Sequence, residues 1–246
     1  MSHAVKLIGN VYVVSGDKLT HGWDASAYLV LGDEPALIDC GSTAGYEALK
    51  RNLAGLGLAP TDIKRVYATH GHWDHVSGFA PLKEDHPNVE LFIHEAARAS
   101  VESGDPELTA AFLYDMPFPK MKVDGLLEDG AWIRIGGANG GYETKLLHTP
   151  GHTPSCVSFL LQVGDTRLLI AGDTLWGGFH PRVRSDMDAW HASLAKLAGE
   201  DFDVMSFGHL PPTLVLDAKT KVLEAQKQLG VYYNPWFKPF HTKFMY

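Results

Sequence analysis

The sequence predicts a fold of the α/β (α+β) class, a four-layer αββα sandwich formed by one domain over residues 1–246. Three observations support this prediction. Strand-like and helix-like segments alternate along the whole chain. The stretch Ile-Asp-Cys-Gly at residues 38–41 has a loose echo at residues 170–174, which indicates a duplicated β-rich half. No low-complexity linker divides the chain, and its length suits one large core.

The first third of the chain consists of predicted strands that are joined by turns. Strands are predicted at residues 4–8, 11–14, 26–31, 36–41 and 65–69, and Gly9-Asn10 is a hairpin signal between the first two. A helix is predicted over residues 45–56, because Tyr46, Leu49 and Leu53 recur at helical spacing and share one face. The helix would cover the outer face of a sheet.

The rest of the chain repeats this mixture. Strands are predicted at residues 91–93, 132–135, 143–148, 158–163, 167–171 and 203–207, and helices at residues 188–198 and 214–229. A helical stretch over residues 95–114 is interrupted by Gly104-Asp105-Pro106. The two prolines of residues 116–121, Met-Pro-Phe-Pro-Lys-Met, exclude a regular element, so we predict a loop over the sheet edge there.

The composition is that of an ordinary globular protein and narrows the range of partners. Apolar residues make up 45% and charged residues 20% of the chain. The formal net charge of −8 argues against nucleic acid or an anionic membrane as a main partner. No stretch reaches about 18 apolar residues and the N-terminus has no run of signal length, so a cytoplasmic location is expected. Cys40 and Cys156 are predicted to be buried free thiols.

The most informative stretch of the chain is residues 70–75, His-Gly-His-Trp-Asp-His. It follows a predicted strand and contains four side chains that can bind a divalent metal, namely His70, His72, Asp74 and His75. Two histidines one residue apart can grip one ion, and the Asp-His pair can reach a second ion nearby. Imidazoles and a carboxylate without a thiolate favour zinc, iron or manganese over a purely structural zinc site.

Three further candidate ligands share a pattern in which a strand is followed by a small residue, a ligand and a turn. His152 follows an apolar strand, and the Pro-Gly pair before it gives a rigid turn that aims the imidazole. Asp173 ends a very apolar strand and is placed to bridge two cations. His209 follows the strand over residues 203–207. An imidazole or carboxylate buried at a strand end is costly unless it is paired or bound to a metal.

Together these seven side chains resemble the signature of the metallo-β-lactamase superfamily, and the resemblance spans the chain from Ile38 to His209. It implies the αββα sandwich and two divalent metal ions, with zinc as the favoured metal and iron or manganese as alternatives. It implies a first metal held by His70, His72 and His152, a second held by Asp74, His75 and His209, and a bridging Asp173. Asp39 resembles the buried carboxylate that orients a ligand histidine in such sites.

The resemblance implies a hydrolase in which a hydroxide shared by the metals attacks the substrate and Asp74 moves a proton. We expect a small-molecule substrate with an ester, thioester or lactone-type carbonyl, and a β-lactam or a phosphodiester stays open. Acyl-homoserine lactonases carry a tyrosine where this chain has Trp176. Glyoxalase II enzymes add a basic helical segment, whereas this tail is aromatic. Relatives that cleave RNA or DNA carry an inserted domain, for which this chain has no room.

A second enzyme class also resembles the motif. Sulfur dioxygenases of the same superfamily use one iron, which two histidines and an aspartate hold. Metal content separates the two hypotheses, because two zinc ions per chain indicate hydrolysis and one iron indicates oxygen chemistry. Diiron flavoproteins are disfavoured, since they carry glutamate at the place of His72.

The residues that contact the substrate are predicted from composition and position alone. Six side chains are expected to wall a pocket near the metals: Met116, Phe118, Met121, Trp176, Phe179 and Arg182. The apolar members suit a hydrophobic pocket, and Arg182 suits an anionic substrate tail. The aromatic tail, residues 231–246, is expected to cover the site or to form a homodimer contact.

Overall fold

The computed structural model describes residues 4–229 of the chain. In that range the chain forms a seven-stranded and a five-stranded β-sheet, each with helices on its outer face. The helices are α1 (Tyr46–Ala54), α2 (Trp73–Val76), α3 (Phe79–Asp85), α4 (Glu95–Ser103), α5 (Met187–Gly199) and α6 (Ala218–Gln228). The fold class predicted from the sequence is confirmed.

The first sheet contains the N-terminal strands in chain order. They are β1 (Val5–Ile8), β2 (Val11–Ser15), β3 (Ala27–Val30), β4 (Ala36–Ile38), β5 (Arg65–Tyr67), β6 (Glu90–Ile93) and β7 (Gly125–Leu126). Neighbours from β1 to β4 are antiparallel, whereas β4 to β7 run parallel. The carboxyl ends of β4, β5 and β6 therefore meet at one edge, where ligands of open parallel sheets commonly bind.

The second sheet contains the C-terminal strands. They are β8 (Trp132–Ile135), β9 (Tyr142–His148), β10 (Val157–Val163), β11 (Thr166–Ile170) and β12 (Val204–Ser206), and their spatial order runs from β12 to β8. Neighbours are antiparallel except β11 and β12, which are parallel. The segments that carry Asp173 and His209 therefore leave this sheet from the same edge.

Apolar side chains alternate between the two faces of each strand. In β3, Tyr28 faces the second sheet, whereas Leu29 packs in the core under α1 and α3. In β10, Phe159 faces the first sheet, whereas Leu160 packs in the core under α5 and α6. This period of two, which is intrinsic to a pleated strand, produces one core between the sheets and one outside each of them. The four layers are therefore those of the predicted αββα sandwich.

Two elements differ from the helices predicted by periodicity. The stretch predicted over residues 95–114 stops at α4, where Gly104 adopts a left-handed φ of 72°, and continues only as a 3-10 turn at Ala111–Leu113. The helix predicted from residue 214 begins at Ala218, because Val215 pairs with Met205 in an antiparallel bridge. Residues 116–121 form no regular element, as predicted.

Cys40 and Cys156 are buried free thiols, as predicted. Within residues 4–229, no helix combines the length and the apolar character that crossing a bilayer requires. The aromatic tail at residues 231–246, for which a covering or dimerising role was predicted, lies outside the described residues.

Candidate metal centre

The seven predicted metal ligands lie together at the edge where the carboxyl ends of the parallel strands meet. They form three overlapping groups whose ligand atoms lie within 4.8 Å of one another: His70, His72 and His152; His70, His75 and Asp173; and Asp74, His75 and His209. His70 and His72 belong to the loop after β5, and Asp74 and His75 to the short helix α2. The other three follow β9, β11 and β12.

The backbone before β3 holds two of these segments in place. The Ala25 N–H donates to the Asp74 carbonyl at 3.2 Å, and the Ser26 N–H donates to the Gly208 carbonyl at 2.6 Å. These bonds attach α2 and the loop of His209 to the same strand. The first sheet thus fixes a ligand segment that belongs to the second sheet.

The imidazoles of His70, His72 and His152 are close enough to share one ion. His72 Nδ1 lies 3.1 Å from His152 Nε2, and the His70 and His72 rings have centroids 4.4 Å apart. Two nitrogens that are each ~2.0–2.1 Å from a tetrahedral zinc lie about 3.3 Å apart. The observed spacing therefore fits two ligands of one ion.

Asp173 lies between two of these groups, the one formed by His70, His72 and His152 and the one formed by Asp74, His75 and His209. Its Oδ2 is 3.6 Å from His152 Nε2 and 3.3 Å from His209 Nε2, and its Oδ1 is 3.4 Å from His75 Nε2. Asp74 Oδ2 in turn lies 3.4 Å from His209 Nε2. One carboxylate thus reaches ligand atoms of both groups, which is the geometry that a bridge between two ions requires.

Several buried polar atoms of this centre have no hydrogen-bond partner among the described residues. They include His70 Nε2, His75 Nε2 and Asp173 Oδ1. Leaving a buried polar group without a partner costs ~1–3 kcal/mol, and more for a charged one. Two divalent cations would satisfy these three atoms, and imidazole and carboxylate are ligands that zinc, iron and manganese accept. The residues present therefore fit the implied metals.

Protonation also favours a cation. Burial lowers the pKa of His70 and His72, and the neighbouring histidines lower it further, so both rings are neutral and have a free lone pair. Burial alone would raise the pKa of Asp173, but His209 and His75 outweigh it and lower this pKa well below the usual range. Neutral imidazoles and an ionised carboxylate are the forms that bind metal.

Asp39 lies behind His75 and holds it from the side that faces away from the other ligands. Its Oδ2 is 2.8 Å from His75 Nδ1, and its carboxylate accepts from the Thr69 N–H and the Thr69 hydroxyl at 2.7 Å each. The bond to Nδ1 fixes the tautomer and leaves Nε2 free for an ion. Asp39 has a left-handed φ of 56°, which aims its side chain out of the line of β4.

Two supporting groups were not predicted from the sequence. Thr69 Oγ1 lies 3.1 Å from His70 Nδ1, and the carbonyl of Gly178 lies 2.8 Å from His152 Nδ1. Each fixes the far nitrogen of a ligand imidazole. A threonine directly before the first histidine was the only sequence signal for the former, and a backbone carbonyl leaves no sequence signal at all.

Close packing around the ligands requires glycine at two places. A Cβ on Gly208 would lie 2.0 Å from Asp173 Oδ1, and a Cβ on Gly177 would lie 2.4 Å from His152 Nδ1. Any larger residue would displace the ligand or the loop. The small residues beside the ligands therefore have a steric role.

A cavity of about 340 Å³ opens above the ligands. Its floor contains five of the seven predicted ligands, His72, Asp74, His152, Asp173 and His209. Its walls contain Ala110, Leu113, Tyr114, Trp176, Gly177, Gly178, Phe179, His180 and Val183. The Tyr114 ring stacks on Trp73 with centroids 4.8 Å apart, and burial together with the nearby Asp74 carboxylate raises the pKa of its hydroxyl. The ligand atoms therefore face a hollow of small-molecule size.

The predicted pocket residues divide into two groups. Trp176 and Phe179 line the cavity. Met116, Phe118 and Met121 do not, which corrects the prediction: their loop covers the outer face of the first sheet, and these side chains pack into the core there. Arg182 lies outside the lining and pairs with Glu107.

The sequence comparisons agree with this geometry. Residues 22–209 match the family description "Metallo-beta-lactamase superfamily". The match covers most of the chain and includes all seven predicted ligands. The chain therefore belongs to the metallo-β-lactamase superfamily.

Three relatives show the range of similar proteins. A probable metallo-hydrolase of Methanocaldococcus jannaschii is 27% identical over 63% of this chain and 69% of its own length. The metallo-beta-lactamase domain-containing protein 1 of Xenopus laevis is 28% identical over 78% of this chain and 73% of its own length. A hydroxyacylglutathione hydrolase of Prochlorococcus marinus is 30% identical over 69% of this chain and 64% of its own length.

Solved structures share the fold. The subclass B3 metallo-β-lactamase BJP-1 of Bradyrhizobium japonicum superposes with a TM-score of 0.74 at 23% identity, covering 93% of this chain and 90% of that one. The metallo-β-lactamase GOB-18 of Elizabethkingia meningoseptica gives a TM-score of 0.75 at 22% identity, with 94% and 90% covered. At these identities the likeness concerns the fold.

Proposed function

We propose that this protein is a binuclear metal-dependent hydrolase that cleaves an ester, thioester or lactone-type carbonyl of a small molecule. The observation that carries the proposal is the convergence of the seven ligands, with three buried ligand atoms that lack any other partner. Relatives that are named as hydrolases support the same reaction type.

Each ligand group has a separate task in this proposal. His70, His72 and His152 would hold one ion, Asp74, His75 and His209 would hold the second, and Asp173 would bridge them. Two divalent ions, zinc in the first place, would lower the pKa of a water molecule to about 7 and polarise the substrate carbonyl.

The chain's own groups would orient the substrate and handle the proton. Asp74 lines the cavity, so its carboxylate can accept the proton that the attacking water loses. The Tyr114 side chain lines the same cavity beside Asp74 and would limit the directions that this carboxylate can take. Trp176 and Phe179 form an apolar wall, which seats the acyl part of a substrate and keeps bulk water away.

Metal analysis of the purified protein, followed by a hydrolysis screen, tests the proposal. We expect two zinc ions per chain and hydrolysis of at least one ester, thioester or lactone. Asp173→Ala should remove at least one ion and abolish turnover, whereas Asp165→Ala, at an exposed turn, should retain both. One iron per chain together with oxygen consumption would replace hydrolysis by the sulfur dioxygenase reaction. Full activity of Asp173→Ala would reject the bridging role.

A further inference from the structure

The walls of the cavity have a distinct chemical character. Five wall residues present large or branched apolar surfaces: Leu113, Tyr114, Trp176, Phe179 and Val183. Among the described lining residues there is no lysine or arginine. Leu113 is 58% exposed, so the apolar surface continues to the mouth. Apart from histidines, the described lining residues offer no basic side chain to an anionic substrate.

Arg182 is a basic residue next to the cavity wall, where it directly precedes the wall residue Val183. Its guanidinium donates two hydrogen bonds to the Glu107 carboxylate, from Nε and from Nη2. Its Cζ also lies 3.6 Å from the centre of the Phe112 ring. A bidentate carboxylate pair and an aromatic face together occupy the guanidinium and neutralise its charge.

The other nearby arginine faces elsewhere. Arg184 lines a separate hollow with Gly71, Thr153 and Ser155. The segments on either side of the cavity, residues 107–114 and 178–184, are therefore joined by the Glu107–Arg182 ion pair. This pair neutralises the arginine that precedes the wall residue Val183.

We propose that the cavity selects a neutral substrate with an apolar acyl group, and that Glu107 is a specificity-determining residue that withholds the charge of Arg182 from anionic substrates. The inference rests on the proposed hydrolase function. The cavity volume of about 340 Å³ is at the lower end of the range for ligand pockets, so the substrate is small. Each methylene that enters the apolar wall should raise kcat/KM about fourfold until the cavity is full.

Matched esters test the substrate class in the metal-loaded, full-length protein. The neutral series is p-nitrophenyl acetate, butyrate and hexanoate, and the charged partner of the hexanoate is the mono-p-nitrophenyl ester of adipic acid. We expect kcat/KM to rise from acetate to hexanoate, and the charged ester to be slower than the hexanoate by at least about 30-fold. If the enzyme is active but prefers the charged ester, the inference about substrate charge is wrong and the proposed hydrolase function stands. Loss of hydrolysis with every ester, thioester and lactone would overturn the proposed function and this inference with it.

Glu107→Gln tests the role of the ion pair. Freeing the guanidinium should raise the ratio of kcat/KM for the charged ester to that for the hexanoate about tenfold, which is the effect of one partly exposed charged hydrogen bond. Glu107→Gln combined with Arg182→Gln should cancel the gain. Glu143→Gln is the matched control, because Glu143 forms an exposed ion pair with Arg134 at 2.8 Å on β8 and β9. An unchanged ratio in Glu107→Gln, or an equal gain in Glu143→Gln, would overturn the role of Glu107.

Binding provides a readout that does not need turnover. Trp176 lines the cavity, so tryptophan fluorescence can follow the binding of hexanamide and of its anionic match, adipic acid monoamide. The wild type should bind hexanamide more tightly than adipic acid monoamide. In Glu107→Gln, the difference between the two affinities should be smaller. Equal affinities for both amides in the wild type would contradict the proposed selection.

Discussion

Gly177→Ala should reduce kcat/KM about 100-fold through a purely steric effect on one metal ligand. A Cβ at Gly177 would lie 2.4 Å from His152 Nδ1 and 2.6 Å from the Asp173 carbonyl oxygen, whereas ordinary contacts begin at 3.4 Å. Either the imidazole or the loop must therefore move by about 1 Å. His152 Nδ1 also hydrogen-bonds the Gly178 carbonyl at 2.8 Å, so the ring cannot swing away without losing that bond. Displacing a reacting group by about 1 Å costs ~100-fold.

Gly178→Ala is the matched control for this change. It alters the next residue of the same loop in the same chemical way, but within the described part of the chain no atom lies within 4 Å of the new Cβ. Neither glycine has a positive φ, so alanine suits both backbones. We expect the control to lose less than about threefold. The assay is kcat/KM for the best ester, with zinc content and melting temperature measured on the same samples.

Two results would refute this reasoning. Wild-type kcat/KM in Gly177→Ala would show that the loop yields without moving His152. Equal losses in the two variants would show that the effect concerns loop flexibility and not the contact with the imidazole.

Three further changes test the groups around the centre. Asp39→Asn should weaken metal binding ~10–100-fold in a chelator competition, because an amide N–H would face His75 Nδ1, and unchanged affinity would contradict the orienting role. Burial, aided by His148, lowers the pKa of His94 to about 4. Between this value and the unfolded pKa of about 6.5, His94 is protonated in the unfolded chain but neutral in the folded one. The free energy of unfolding therefore falls as the pH falls from about 6.5 towards 4. Between pH ~7 and ~4.5, His94→Asn should lose about 1–2 kcal/mol less of this free energy than the wild type. Urea unfolding with metals chelated measures the difference. Tyr28→Phe removes the bond to the Phe207 carbonyl at 2.8 Å and should lower the free energy of unfolding by ~1–3 kcal/mol, and an unchanged urea midpoint would count against it.

The sequence predicted the fold class and the side chains that meet at the metal centre, because both depend on local patterns. A ligand such as Asp173 follows the end of an apolar strand. Parallel strands bring such ends to one edge of the sheet, and this does not depend on the conformation of the loops. Helix α3, which contains Pro81, was not predicted from the sequence. The proline lies in the first turn, where its missing N–H would have no helical partner, so the helix tolerates it.

The cavity walls could not be predicted in the same way. Met116, Phe118 and Trp176 are all apolar residues in irregular segments, and composition does not tell which face of a sheet such a segment covers. Only the packing of the complete chain sends the first two into the outer core and the third to the cavity. The Glu107–Arg182 pair likewise joins residues that are 75 positions apart, which no local pattern reveals.

The carboxylates of the centre also determine the protonation of two of its histidines. Burial opposes a charge on His75, but the carboxylates of Asp173, Asp74 and Asp39 outweigh it and raise the pKa of this ring well above its usual value. In His209 the effect of burial is likewise overcome, mainly by Asp173. Protons thus compensate the buried negative charge until cations replace them, and metal binding must release protons. Metal binding at this centre should therefore weaken as the pH falls, because a cation must displace protons from His75 and His209.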